Sequence, residues 1–584
     1  MLSICWILLL GWIAFFCNLG NTGLIDETEP LFAEAARQMT VTGDWITPYF
    51  NGLTRFDKPP LVYWLMAFAY KTIGVNEWAV RLPSALAAYA ITSIGFYTLR
   101  YFGITSPHQR LNHRSNSNSL WFSASIGAAI IALNPITIIW ARIGVSDMLL
   151  SGCIVSALFC FFIGYAEMGN RSSVIGDRMT ISPWYLAFYI LVGLAILTKG
   201  PVGIVLPALI IGSFLVYLGN FSEVWREMRP LWGLAIVSAI AIPWYVLVIL
   251  SNGEDYINSF FGYHNLERFT SVVNHHSAPW YFYFLVILLG FAPWSSYLPL
   301  AIAQTHFWER KNWQKSPRAS QLSLFAFFWF TVIFIFFTIA VTKLPHYILP
   351  AIPAAAILVT GVWNNSIHSE EEFPPKQQIK DSGLLFSGLF NLVLALTFSI
   401  GIFISPSLLG YDPAAPNLTD LFQQSGIPIK AAIIWGLTAV GIALLLQQKK
   451  HWLWSINLVG FAAFVIFAIT PGYFLVDRLR QMPLRELAAQ AIQQQKPGEE
   501  LIMVGFKKPS LVFYTQRPVT FFPNFEFALY YIQQNAAKKP PPPSVLILAQ
   551  YNKTGENFLL PNEYKNLGQS GSYRLIRLSK KPFL

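Results

Sequence analysis

Residues 3–20 read SICWILLLGWIAFFCNLG, an apolar run without a charged side chain, and the acidic patch DETE follows at 26–29. A helix needs about 20 mostly apolar residues to cross a hydrocarbon layer. The run has no basic leading segment and no small-residue cleavage site, so it is expected to persist as a first span, not as a removed leader. The same ruler finds further candidate spans near 79–103, 120–138, 144–166, 183–198, 200–219, 232–250, 280–303, 320–342, 345–362, 383–404, 429–447 and 452–474. That makes about 13 spans of a helical bundle.

Composition agrees with this reading. Of 584 residues, 54% are hydrophobic and 12% charged. A soluble domain carries about 25% charged residues, so this chain lacks the charge to cover itself in water. The net charge of +11 fits the basic bias of cytoplasmic loops and contact with anionic head groups better than nucleic acid. Cys5, Cys17, Cys153 and Cys160 all sit in apolar runs and read as small buried hydrophobes.

If the first span leaves the cytoplasm, the loops after even-numbered spans are cytoplasmic. Those loops hold fourteen lysines and arginines, whereas the short loops on the other side hold only Arg142, Lys199, Arg268 and Lys343. The asymmetry fixes an orientation with an outward C-terminus. A membrane domain is expected over 1–474. It includes an outer loop, 21–78, with a helix starting at Thr28 under an Asp26/Glu29 cap. Leu31, Phe32, Ala35 and Met39 share one face of that helix, and Gly43 stops it. Residues 61–73 suit a helix lying in the interface. Residues 475–584 read as a small outward-facing α/β domain, with buried strands at LIMVGF (501–506) and SVLILAQ (544–550).

The orientation gathers unusual polar residues at one rim: Asp26, Glu27, Glu29, Asp57, Lys58, Asp147, Lys199, His264, Arg268, Lys343, His346 and Tyr347. A charge at membrane depth costs about 2.5–3.5 kcal/mol at a helix centre, so such a ring needs partners or a task. Cations with carboxylates suit an anionic, lipid-linked substrate. Lysine and arginine hold phosphate through charge-assisted hydrogen bonds, and an aspartate can orient or deprotonate an attacking group. Each residue also has a plain reading. Asp26 can cap a helix, Lys58 can snorkel, Lys199 can mark a span end, and Asp147 can pair with Arg142. His275-His276 lack spaced carboxylate partners and do not read as a metal site.

Several stretches carry a resemblance: DETEPLFAEAARQMTVTGDWITPYFNGLTRFDKPPLVYWL (26–65), AVRLPSALAA (79–88), SDMLL (146–150), LTKGPVG (197–203), PWY (243–245), HNLERF (264–269) and KLPHYILP (343–350). In this order they resemble the aminoarabinose transferase and protein mannosyltransferase-like family of polyprenyl-phosphate-dependent (C-type) membrane glycosyltransferases. The resemblance implies a bundle of thirteen spans with an outer soluble domain. It also implies transfer of a sugar from a polyprenyl-phosphate donor to a lipid or other cell-envelope acceptor, with inversion, at the outer face of a bacterial inner membrane. By the same resemblance Asp26 and Asp147 fall on catalytic acidic positions, Lys58 and Arg268 on donor-phosphate positions and Tyr347 on a cavity tyrosine; Lys343 or Tyr347 is expected to assist at the donor phosphate. Glu27, Asp57 and His264 are supporting, with Asp57 and His264 able to hold a divalent metal ion. Two departures stand out: Glu29 where the aminoarabinose enzymes usually carry arginine, and Asp57 where they tend to carry glutamate. A transporter of a lipid-linked sugar is the alternative, but no internal repeat relates the halves and the charges cluster at one rim. A non-catalytic assembly subunit would use the same rim for protein pairing.

Overall fold

A computed structural model describes residues 1–104, 117–171, 182–260, 262, 277–372, 378–536, 544–550 and 564–580. Every expected span falls on helix. Among the described residues, eight helices are long and apolar enough to cross a membrane, and two bent helix pairs raise this to ten. The shorter apolar helices Leu2–Phe16, Pro183–Lys199 and Val202–Leu218 account for the other expected spans. Residues 61–73 form a separate 13-residue helix, too short to cross at 1.5 Å rise per residue.

We number the first helices α1 (Leu2–Gly11), α2 (Thr28–Thr42), α3 (Leu61–Ile73), α4 (Glu77–Phe102), α5 (Ser117–Ala132), α6 (Pro135–Ala141), α7 (Ser146–Arg171), α8 (Pro183–Lys199) and α9 (Val202–Leu218). The stretch 120–138, read as one straight span, is instead α5 and α6 bent by 64°. Asn134 causes the break. Its amide donates to the carbonyls of Ile130 and Ile131, and its oxygen accepts from Thr137 N–H, so one side chain ends α5 and caps α6. Pro135 then starts α6, where its missing N–H costs nothing. The stretch 280–303 is likewise bent, by 115°, between Phe282–Gly290 and Trp294–Gln304. The indole of Trp294 donates to the carbonyl of Leu133 at 2.9 Å, which ties the two bends together.

The outer loop folds as α2, a two-residue-strand hairpin (β1, Tyr49–Phe50; β2, Leu53–Thr54) and α3. Phe32, Ala35 and Met39 are buried on the expected face of α2, with Leu31 half-buried. Gly43 ends the helix in the left-handed region at φ 75°, which glycine adopts without steric cost. The cap differs from expectation. Asp26 does not cap α2, and Glu29 instead accepts the N–H of Ile25 at 2.7 Å.

Among the described residues, the C-terminal region carries a five-stranded sheet in the order β4-β3-β5-β7-β6. The strands are β3 (Leu501–Val504), β4 (Val519–Phe522), β5 (Ser544–Gln550), β6 (Tyr564–Ser570) and β7 (Tyr573–Ser579). The first three run parallel, and β5, β7 and β6 pair antiparallel. Both expected strands are present and wholly buried. Leu501 and Met503 pack on one face with Leu484 and Leu511, while Ile502 and Val504 pack on the other with Phe525 and Ile532. Alternation of this kind buries both faces of a central strand.

Candidate active site

The helices α7 and α8 bring a carboxylate and an ammonium together. Asp147 lies in the first turn of α7 and Lys199 is the last residue of α8. Lys199 Nζ donates to Asp147 Oδ1. His346, from the 3-10 turn Pro345–Ala351, places Nε2 3.2 Å from the same oxygen. Arg142, the partner considered for Asp147 in the sequence, donates instead to the carbonyl of Cys17 at 2.5 Å.

Lys58 arrives from the segment after the hairpin. Its Nζ donates to Asp57 Oδ1 at 2.7 Å and to the Asp57 carbonyl at 2.9 Å, while Arg55 Nη2 donates to Asp57 Oδ2 at 2.8 Å. Lys58 is buried, so it does not snorkel to water. Tyr347 completes the group, with Lys199 Nζ 5.3 Å from its ring centre. The Trp140 ring lies 4.4 Å from that of His346.

Of the residues expected from sequence, the fold therefore sets Lys58 against Asp57, and places Tyr347 beside the lysine that holds Asp147. Lys343 is buried nearby in the chain, its Nζ donating to the Ala340 carbonyl at 2.6 Å. Glu27 is exposed at the start of α2. His264 and Arg268, and the His275-His276 pair, lie outside the described residues. Among the described residues no group of three or more His, Cys, Asp and Glu is set to hold a metal ion. Asp57, expected to share a metal with His264, is engaged by Arg55 and Lys58.

Asp26 faces elsewhere. Oδ1 accepts the Ser510 N–H at 2.9 Å and Oδ2 the Ser510 hydroxyl at 2.6 Å. Burial pushes its carboxyl above the ordinary value, opposed by those hydrogen bonds and by the charge of Lys508. Glu29 is also committed. Arg81 donates to both of its carboxylate oxygens, at 2.9 and 3.0 Å, and Gly144 N–H donates to Oε1 at 2.7 Å. Arg81 spends its other donors on Leu19, Thr22 and Gly23. The fork-to-carboxylate match gives this pair fixed geometry.

Sequence reasoning gave Lys199 and His346 no assigned role and passed over Arg55. The signal for Lys199 was topological: consecutive antiparallel helices bring the start of one beside the end of the next, hence Asp147 beside Lys199. Cations held against a carboxylate at rigid helix ends, as Lys199 is against Asp147, can hold a phosphate and position a nucleophile beside it.

Comparison with known proteins shows what this chain is similar to. Residues 57–105 match the family described as dolichyl-phosphate-mannose-protein mannosyltransferase. Residues 494–584 match the cyanobacterial RgtA-type glycosyltransferase C-terminal domain. The undecaprenyl phosphate-alpha-4-amino-4-deoxy-L-arabinose arabinosyl transferase of Aeromonas hydrophila is 28% identical over 450 residues, 76% of this chain and 73% of its own. The transferase of the same name from Photorhabdus laumondii is 25% identical over 493 residues, 84% of this chain and 79% of its own. The crystal structure of ArnT from Cupriavidus metallidurans bound to undecaprenyl phosphate superposes with a TM-score of 0.72 at 21% identity. It covers 99% of this chain and 97% of that one.

Proposed function

We propose that this chain, which shares the fold of a polyprenyl-phosphate-dependent membrane glycosyltransferase and resembles the aminoarabinose-transferring enzymes in sequence, is itself such a glycosyltransferase. It takes a sugar from a polyprenyl-phosphate carrier and moves it to a lipid or other cell-envelope acceptor in a bacterial inner membrane. The names of the relatives favour a pentose of the 4-amino-4-deoxyarabinose kind over a hexose. The basic bias of alternate loops supports a reaction at the outer face.

The observation that carries this reading is the Asp147 carboxylate, held by Lys199 and His346. In the reaction an acceptor oxygen attacks the anomeric carbon from the face opposite the carrier. The bond from that carbon to the phosphate oxygen breaks, and its electrons leave on polyprenyl phosphate, so the product is inverted. Lys58, with Arg268, neutralises the charge growing on the leaving phosphate, the logic of preorganised electrostatic stabilisation. Lys343 and Tyr347 line the same rim. Asp147 receives the proton of a hydroxyl acceptor. With a phosphate acceptor no proton need move, and Asp147 only orients the groups. Asp26, whose oxygens serve Ser510, takes no part in this reading. No step requires the divalent ion considered for Asp57 and His264.

The test uses purified protein in nanodiscs with radiolabelled sugars on undecaprenyl phosphate and a total lipid extract. Wild type is expected to move label into a new lipid product, and Asp147→Asn is not. Label that stays on the carrier in both, while the carrier still binds, would favour a transporter of the lipid-linked sugar.

A further inference from the structure

The hairpin that precedes Lys58 is grafted onto the soluble sheet. Asn51 and Gly52 form its two-residue turn, at φ 52° and 79°, the left-handed geometry that asparagine-glycine turns supply. The Asn51 side chain does a second thing. Its Nδ2 donates to the Val519 carbonyl at 2.8 Å and its Oδ1 accepts the Val519 N–H at 2.9 Å. Val519 begins β4, an edge strand of the sheet. One amide thus satisfies both backbone groups of an edge residue, as a neighbouring strand would. Phe50 packs against the sheet core beside it.

The other end of the hairpin is held by the membrane domain. Arg55 N–H donates to the Pro48 carbonyl at 2.8 Å and closes the loop. Asn252 donates to Thr47 Oγ1 at 2.9 Å, and Trp244 to the Ile46 carbonyl at 3.2 Å, both from the Pro230–Tyr256 helix. The chain then runs directly into Arg55, Asp57 and Lys58, whose mutual hydrogen bonds set the position of the Lys58 ammonium. The hairpin is a short strut between the sheet and the buried Lys58 ammonium.

We infer that Asn51 is a positioning residue for donor binding, and that the C-terminal sheet acts on the site through it by fixing the Arg55–Asp57–Lys58 unit. This inference rests on the proposed function. Its test compares full-length wild type with Asn51→Gly, which keeps the left-handed turn and deletes only the amide. Gln550→Ala is the control. It removes a different contact of the sheet, the 2.7 Å hydrogen bond to the Pro413 carbonyl, remote in sequence from the hairpin. The readouts are undecaprenyl-phosphate binding, donor KM and kcat, and hydrogen exchange at residues 49–58.

Asn51→Gly is expected to raise donor KM and the carrier Kd about tenfold, the scale of two net hydrogen bonds, with kcat changed less. Exchange at 53–58 is expected to quicken, and Gln550→Ala to leave KM unchanged. In a Lys58→Met background Asn51→Gly is expected to have no further effect on carrier binding. Unchanged carrier binding and KM in Asn51→Gly, with wild type active, overturns the inference. An equal rise in Gln550→Ala also overturns it, because generic loosening would then be the cause. Wild type that neither binds carrier nor transfers sugar refutes the functional reading instead.

Discussion

Asp26 and Ser510, 484 residues apart in the chain, are joined by two hydrogen bonds, one from the backbone N–H and one from the hydroxyl of Ser510. The acidic residue after the first span is thereby a fastening for the C-terminal sheet domain. Two neighbours reinforce it. Leu24 N–H donates to the Tyr514 hydroxyl at 2.8 Å, and that hydroxyl donates to Glu77 at 3.0 Å. Gly23 N–H donates to Asp477, which also receives Arg485. The outer loop is thus stitched to the sheet from several sides.

Because burial raises the Asp26 carboxyl pKa, the folded protein binds this proton more tightly than the unfolded chain. Stability from this group is therefore fully present below the ordinary value of 3.8 and declines as pH rises through the raised folded value. Asp26→Asn keeps an acceptor for Ser510 and is expected to flatten that decline. Thermal unfolding followed over a series of pH values checks it; parallel slopes for the two proteins would contradict this account.

Asp147→Asn is expected to lower kcat by about 10²–10⁴, the usual contribution of a positioned acid or base, with carrier binding largely kept. Transfer of labelled sugar, measured beside carrier affinity, separates this from misfolding. Equal turnover by both proteins would remove Asp147 from the mechanism.

Lys58→Met deletes a buried ammonium hydrogen-bonded to Asp57. A hydrogen bond to a charged phosphate is worth about 1.5–3 kcal/mol, so donor KM is expected to rise about tenfold or more. Arg55→Met leaves Lys58 on Asp57 but removes the guanidinium from the other carboxylate oxygen, and a smaller rise is expected. An Arg55 effect exceeding that of Lys58 would reverse their assigned order.

Glu29→Ala leaves Arg81 as a buried charge without its carboxylate, and both side chains are wholly buried. Breaking such a pair costs about 3–5 kcal/mol. Lower yield and earlier thermal unfolding in detergent are expected, before any question of catalysis. A fully stable Glu29→Ala protein would show that the pair does not hold the loop.

The sequence alone determined the membrane architecture, because a hydrocarbon layer imposes a local rule: apolar length, read one window at a time, marks the apolar helices expected to cross it. It also determined the buried strands at 501–504 and 544–550, whose short apolar runs carry their own signature. It brought Asp57, Lys58 and Asp147 forward as site residues through unusual charge at one rim. Straightness was not legible at 120–138, since the break rests on three hydrogen bonds of Asn134. The tertiary structure alone decided which carboxylate faces which cation. Asp147 took Lys199 and His346, Glu29 took Arg81, and Asp26 was claimed by Ser510. Apolar periodicity fixes a segment's environment from its own residues, whereas a buried charge takes its partner from whatever distant segment the packing delivers.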